Sequence, residues 1–520
     1  MTIHIVQHDI VSANPEANME WILREIESHD GKEALLTVFP ACTLIGYPVF
    51  AAPGYTDLQK RVQQCLQELI AHSEHRAFLV GMPLQIQDKG LCNAIVFVQN
   101  GAIRATITKK YLNPDEQKYF VRGEGVQTIL YKDQQLAIGF YEDLKELLTK
   151  GSHELQPDIV VCCGCNIFDY KKPFAIRYRM RKIVENLNAS LVFANRTGGE
   201  GPFLFAGGSM ALNAADNVLC QFPYFEEHAD TVDMQLLTTI EDMKPEPVEL
   251  VYKGLVTGIR DYFRKNRITR AVLGLSGGID SALVATLTVD ALGAENVHGL
   301  LMPSQYSTDH SVKDAEDLAH NLGMTYDIVP IKPIFDTARE QLKPIFDDRA
   351  EDVTEENMQA RIRGMLVMAY ANKMGAMLLN TTNKSEAAMG YGTLYGDCCG
   401  GMAVIGDLYK TEVYELSDYI NRDGERIPQH SITKAPSAEL RPGQKDSDSL
   451  PDYAMLDAIL NLHLEESMCE DEIVEEGYDR ETVQLILHKV KVSEWKRLQC
   501  PQPIKVSSMT FGIDRRMPIS

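Results

Sequence analysis

The run AVLGLSGGIDSALVATLTVDALG, residues 271 to 293, constrains the fold more than any other stretch of this chain. AVLGL reads as a short apolar strand, GLSGGIDS as a glycine turn, and DSALVATLTVDALG as an apolar helix. A strand (VHGLLMP), a helix (SVKDAEDLAHNLG) and another strand (TYDIVPI) follow. Strand, glycine turn, helix, strand is the opening of a doubly wound parallel sheet, so the second half is predicted to be an α/β domain of that kind. The turn fits neither the Walker pattern nor GxGxxG. Its two glycines still let the backbone approach an anion, and the helix beginning near Asp280 aims free N–H groups at the turn, which favours a phosphate. Ser276 and Ser281 can donate to phosphate oxygens, while Asp280 can hold Mg²⁺ against the same phosphates.

The first half has a different texture. ALLTVF (34–39), RAFLVGM (76–82), NAIVFVQ (93–99), LAIGF (136–140), DIVVCC (158–163) and SLVFAN (190–195) are short apolar strands separated by amphipathic helical stretches, which predicts a second α/β layered domain. At 223–247 the composition turns acidic and proline-bearing (EEHADTVDMQ, EDMKPEPVE), and this is the expected linker. The domains are therefore placed at 1–222 and 248–520. The acidic stretches 347–357 and 465–477 read as solvated helix faces or loops.

The net charge of -22 argues against a non-specific nucleic-acid or anionic-membrane partner, which would be repelled, and leaves room for a local cationic site for an anionic small molecule. No apolar run approaches the roughly 18–20 residues that span a bilayer. The eleven cysteines are odd in number and scattered, with no signal-like segment ahead of them, which implies reduced thiols and a cytoplasmic protein. Cys162, Cys163 and Cys165 lack partners at zinc-site spacing and read as small side chains ending a strand.

SGGxDS resembles the pyrophosphate loop of the ATP-pyrophosphatase group, the adenine nucleotide alpha hydrolase-like fold, whose members cleave ATP between the α- and β-phosphates and adenylate an acceptor. The segments 356–416, 434–460 and 493–519 resemble the NAD synthetase signature in particular. That resemblance implies an ATP site at Gly274, Leu275, Ser276, Gly277, Gly278, Ile279, Asp280 and Ser281, with Thr381 and Lys410. It implies a deamido-NAD side at Asn357, Arg361, Glu386, Asp397 and Lys496. Asp280 and Glu386 become the Mg²⁺ ligands and, with Lys496, the catalytic set; Lys384 is a further candidate to neutralise phosphate. Asn357 and Arg361 stand four apart, on one face of a helix. The implied reaction is two-step: the nicotinate carboxylate attacks the α-phosphate of ATP, and ammonia then attacks the acyl-adenylate. A homo-oligomer, at least a dimer, is also implied.

Residues 1–222 resemble the nitrilase (carbon-nitrogen hydrolase) family, which implies an αββα sandwich acting as an amidase that supplies ammonia from glutamine. FPACTLIGYP (39–48), TKKYLNPDEQKYF (108–120), LAIGFYED (136–143) and FANRTGGEGPFLFAGGS (193–209) carry it. The family needs a glutamate base, a lysine for the oxyanion and a cysteine nucleophile. Those positions fall on Ala41, Lys109 and Tyr141. Alanine takes no proton, and a phenol is a poor acyl acceptor at neutral pH. Cys42 neighbours the missing base, but in an extended segment adjacent side chains point to opposite faces. One of Cys162, Cys163 and Cys165 could approach the pocket from the next strand. The expectation is an ammonia-dependent NAD synthetase with a degenerate amidase domain. The alternatives are a glutamine-dependent enzyme with a relocated cysteine, a separate glutaminase as ammonia source, or an enzyme amidating the mononucleotide.

Overall fold

The computed structural model describes residues 1–28, 35–47, 55–149, 155–236, 239–347, 349–516 and 518. Ala34, Pro48, Leu237, Thr238, Asp348, Met517 and Ile519, within stretches singled out above, lie outside the described residues. The chain divides into two compact units, Met1–Glu200 with Leu204–Pro245, and Gly201–Phe203 with Glu246–Ser520.

The N-terminal unit holds two six-stranded sheets. The first runs His228–Asp233, Thr2–Gln7, Leu35–Val38, Ala77–Ile86, Gly90–Gln99, Ala102–Thr108; the second runs Val218–Gln221, Met210–Leu212, Ser190–Asn195, Ile159–Gly164, Gln134–Phe140, Gln127–Tyr131. One face of each sheet meets the other in a shared core of Ile5, Val38, Leu79, Ile138, Val161 and Val192. The opposite faces are covered by helices Pro15–Glu27 and Thr56–Ala71 on the first sheet and by Lys172–Leu187 on the second. These strands are apolar on both faces because both faces are buried, which is why they read as continuous runs. The result is an αββα sandwich, as expected.

The expected linker is a different matter. His228–Asp233 is an edge strand, antiparallel to Thr2–Gln7 in register from Thr2↔Asp233 to Gln7↔His228. Its acidic, exposed residues are the marks of a solvent-facing edge, where charge blocks further pairing.

The C-terminal unit contains a five-stranded parallel sheet in the order Thr325–Ile328, Val297–Leu301, Ala271–Gly274, Met377–Asn380, Met402–Ala403. The chain moves outward in one direction for three strands, then returns to the other side of Ala271–Gly274. This is the doubly wound order, and its reversal lies between Ala271–Gly274 and Met377–Asn380. The helices Pro247–Asn266, Ile279–Leu292, Asp309–Leu322 and Val353–Met374 belong to this unit. Among the described residues no helix is long and apolar enough to cross a membrane.

Candidate active site

At the sheet reversal a cleft of about 330 Å³ opens beside the glycine turn. Crevices of this size at a topological switch point are where ligands enter open α/β sheets. Gly277 shows why the turn has no other sequence: its φ is +76°, and a Cβ there would sit 2.2 Å from the Ser311 carbonyl. Ser281 Oγ donates to the Gly278 carbonyl at 3.0 Å and lies 3.1 Å from Ser276 Oγ. These bonds fix the turn at the N-terminus of helix Ile279–Leu292. Every residue expected in the phosphate turn except Gly277 lines the cleft, and so do Thr381, Glu386, Asp397 and Lys410.

The charged end of the cleft is tightly built. The Lys410 ammonium is buried, pairs with Asp280, and lies 4.0 Å from Glu386 Oε1. Asn383 Nδ2 donates to Asp280 Oδ1 at 2.9 Å, and Asn383 Oδ1 accepts the Glu386 N–H at 2.9 Å. Glu386 is pushed well above the ordinary carboxylate range by burial and by the Asp280 charge, with Lys410 opposing. For Lys410, burial works against the charge, but Asp280 and Glu386 outweigh it and keep the ammonium protonated. Asp280 and Glu386, partly buried on either side of one ammonium, offer the oxygen donors that a hard cation takes.

The other expected residues do not line the cleft; they brace the loop 390–399 that carries Asp397. Asp397 Oδ1 accepts the Thr393 N–H at 2.6 Å, and Thr393 Oγ1 donates to Asn357 Oδ1 at 2.7 Å. Arg361 Nε donates to the Leu394 carbonyl at 3.2 Å. Lys496 Nζ donates to the carbonyls of Gly390 at 2.9 Å and Gly392 at 3.0 Å. Gly396 and Gly364 let this loop lie directly on helix Val353–Met374, since a Cβ on Gly396 would come within 2.9 Å of the Ala360 backbone.

Lys384 departs from expectation. It is fully buried, away from the cleft lining, with Nζ 2.8 Å from Ser507 Oγ, 3.1 Å from Glu465 and 3.4 Å from Asp407. Its charge is spent on two buried carboxylates, so it has none left for phosphate. The sequence reading also passed over Arg363, Glu439 and Asp446, which line the cleft. Arg363 Nε donates to the Met302 carbonyl at 3.0 Å, and burial draws its guanidinium down to about 10. Arg361 and Arg363 are two apart, so a helix sends them to different faces.

In the N-terminal unit Ala41 and Tyr141 do not meet. Ala41 lies in the core between the sheets, whereas Tyr141 packs on the outer face of the second sheet against helix Lys172–Leu187. The Arg179 guanidinium stands 4.4 Å from the Tyr141 ring centre, and burial pushes the phenol up to about 12. Lys109 is buried with Nζ 2.9 Å from Glu116 Oε1 and 3.2 Å from Glu142 Oε2. Cys42 corrects a second expectation: residues 41–45 form a turn, with φ +58° at Cys42, so Ala41 and Cys42 both enter the inter-sheet core. The Cys42 thiol is raised well above its ordinary value by its hydrogen bond with Cys165 and by burial. Cys162 faces the outer core and Cys163 the inner one; burial raises both, Cys163 to about 12.

Residues 251–500 match the NAD synthase family. The chain is 35% identical to the glutamine-dependent NAD(+) synthetase of Thermotoga maritima, over 97% of this chain and 96% of that protein. It is 38% identical to the protein of that name from Synechocystis, over 94% and 93%. Among solved structures, the glutamine-dependent NAD+ synthetase of Acinetobacter baumannii in complex with ADP matches with a TM-score of 0.80 at 32% identity, covering 100% of this chain and 98% of that one.

Proposed function

The chain belongs to the glutamine-dependent NAD(+) synthetase family and is a ligase forming a C–N bond, and from that premise we propose that its nitrogen donor is free ammonia rather than glutamine. The observation that carries this is Tyr141: at the nucleophile position stands a phenol pushed up to about 12, on the opposite side of the sheet from Ala41. An amidase needs a base, an oxyanion cation and a nucleophile around one carbonyl. Of the three expected positions only Lys109 keeps its residue type, and its ammonium is held by Glu116 and Glu142. Burial raises the thiols of Cys162 and Cys163, and Cys162 faces the helix-covered core rather than the space between the sheets; Cys42 is raised by its hydrogen bond with Cys165 and by burial.

The synthetase half is complete for its part. Deamido-NAD and ATP are the substrates in this reading. The turn from Ser276 to Ser281 and the helix behind it receive the leaving pyrophosphate, since free N–H groups at a helix N-terminus favour an anion. Lys410 and Arg363 offset charge that grows on the phosphate oxygens during attack by the nicotinate carboxylate. Asp280 and Glu386 would hold Mg²⁺, which supplies further charge neutralisation to the phosphates. Asp397 and the loop braced by Asn357, Arg361 and Lys496 form the dinucleotide side. Orientation and charge neutralisation are the protein's main contributions to such a transfer.

The test measures NAD formation from deamido-NAD and ATP with ammonium salt and, separately, with ammonia-free glutamine. Turnover is expected with ammonium alone. Comparable rates with both donors would overturn the ammonia assignment and leave the synthetase assignment intact.

A further inference from the structure

Lys410 opens the helix Lys410–Asn421, whose N-cap residue is Tyr409. Helix caps are ordinarily Ser, Thr, Asp or Asn, whose short side-chain oxygens accept the first N–H groups of the helix. The Tyr409 hydroxyl has no hydrogen-bond partner among the described residues. The acceptors come from two other helices instead. Ser385 Oγ, on helix Lys384–Met389, accepts the Lys410 N–H at 2.9 Å. Asp457 Oδ2, on helix Tyr453–Leu464, accepts the Thr411 N–H at 2.8 Å. The Ser385 hydroxyl in turn donates to Asp457 Oδ1. Ser385, Lys410 and Asp457 are all buried. Tyr453, four residues before Asp457 and so on the same helix face, sets its ring centre 5.6 Å from the Lys410 ammonium. The reaction above uses neither Ser385 nor Asp457.

We propose that Asp457 is a positioning residue for the nucleotide step: directly and through Ser385 it fixes the start of helix Lys410–Asn421, and with it where the Lys410 ammonium stands against Asp280 and the ATP phosphates. Ser385 is also the chain neighbour of Glu386, so one buried carboxylate sets the spacing between the cleft's cation and its second acid. The helices stay attached without this bridge. The Lys384 N–H donates to the Leu408 carbonyl at 2.8 Å, and Lys384 Nζ is bound to Ser507 and Glu465. What Asp457 adds is a fixed first turn, because the N–H groups of Lys410 and Thr411 have no acceptor within their own helix.

The consequence for activity rests on the reading of Lys410 as a group that meets ATP. A charge misplaced by about 1 Å costs a transfer of this kind about a hundredfold. The dinucleotide side stands on other elements, the loop 390–399 and the residues that brace it, so the loss falls on ATP and not on deamido-NAD.

The experiment takes the full chain and its Asp457→Ala, Ser385→Ala and Ile459→Val variants through two measurements. The first is backbone amide hydrogen exchange, resolved to single residues by mass spectrometry. Asp457→Ala should speed exchange at Lys410 and Thr411 at least about tenfold, whereas Ser385→Ala, which keeps the carboxylate, speeds Lys410 alone. The second is deamido-NAD-dependent ATP–pyrophosphate exchange. For Asp457→Ala, kcat/KM for ATP should fall about tenfold to a hundredfold while KM for deamido-NAD stays within about twofold of the parent. Ile459→Val removes one methyl group from the core face of the same helix and should leave both values within about twofold. Parent exchange rates at Lys410 and Thr411 in Asp457→Ala would overturn the bridge. Faster exchange with an unchanged kcat/KM for ATP, or equal losses for ATP and deamido-NAD, would overturn the positioning role. Where Asp457→Ala does not fold, Ser385→Ala decides both points. The amide rates need no turnover, so they decide the bridge even where the reading of Lys410 fails, and Lys410→Met in the exchange assay tests that reading separately.

Discussion

Under the proposed assignment of residue 141 to the nucleophile position, replacing Tyr141 by cysteine is predicted to yield an unstable protein and no glutaminase. The ring is buried among Leu144, Leu147, Val160, Cys162 and Ile176, with Phe193 at 6.4 Å and Arg179 at 4.4 Å. A buried aromatic covers roughly 150–250 Å². Cysteine leaves most of that space unfilled, so at about 25 cal/mol/Å² the loss is about 3 kcal/mol. The lost Arg179 contact adds roughly 0.5–1 kcal/mol. For a unit of this size the sum lowers the midpoint of unfolding by about 10 °C. Tyr141→Phe keeps the ring and the cation contact and should shift stability by less than about 1 kcal/mol. The assay pairs thermal unfolding of the parent, Tyr141→Cys and Tyr141→Phe with glutamine-dependent NAD formation by the double variant Ala41→Glu, Tyr141→Cys. Glutamine hydrolysis should stay absent, since the thiol is installed on the outer face of the sheet. The appearance of glutaminase activity, or a Tyr141→Cys variant as stable as the parent, would refute the placement of residue 141.

Lys410→Met leaves Asp280 and Glu386 facing each other without their shared cation. Deamido-NAD-dependent ATP–pyrophosphate exchange should fall by about 10²–10³, and stability by about 3 kcal/mol; exchange near the parent rate would contradict the role given to that ammonium. Asp143 gives a pH signature. Its carboxyl is fully buried, accepts the backbone N–H groups of Tyr111 at 2.9 Å and Lys110 at 3.1 Å, and is pushed up to about 6 by burial. A folded value above the unfolded one stabilises the protonated form, so the contribution is fully present below about pH 4 and is lost as pH rises through about 6. A shift of about two units is about 3 kcal/mol. Denaturant midpoints should therefore fall for the parent relative to Asp143→Asn between about pH 4 and 7, and parallel curves would contradict the burial argument.

Much of this was readable in the chain because the signals were local. Continuous apolar runs gave the buried strands, and strand, SGG turn and helix gave the turn that lines the cleft at the sheet reversal. What escaped depends on three-dimensional neighbours. The acidic stretch at 228–233 has the composition of a linker, and only its pairing with Thr2–Gln7 makes it a strand. Cys42 occupies a left-handed turn that no glycine announces. Lys384 and Lys410 are both lysines beside the family motifs, yet two buried carboxylates claim the first while the second faces the cleft. Arg363 lines the cleft while Arg361 bonds the Leu394 carbonyl, because a two-residue step changes the helix face.

The buried Lys384 has a consequence for when the site comes into being. Glu386 sits on the helix Lys384–Met389, only 6 residues long and too short to hold itself. That helix is moored through Lys384 to Ser507, Asp407 and Glu465. Asp407 in turn accepts the N–H groups of Val506 at 2.8 Å and Ser507 at 2.7 Å. On a ribosome, where chains fold from the N-terminus onward, the glycine turn emerges more than two hundred residues before Ser507. The acidic end of the cleft thus stays without its second carboxylate in place until Ser507 has been made.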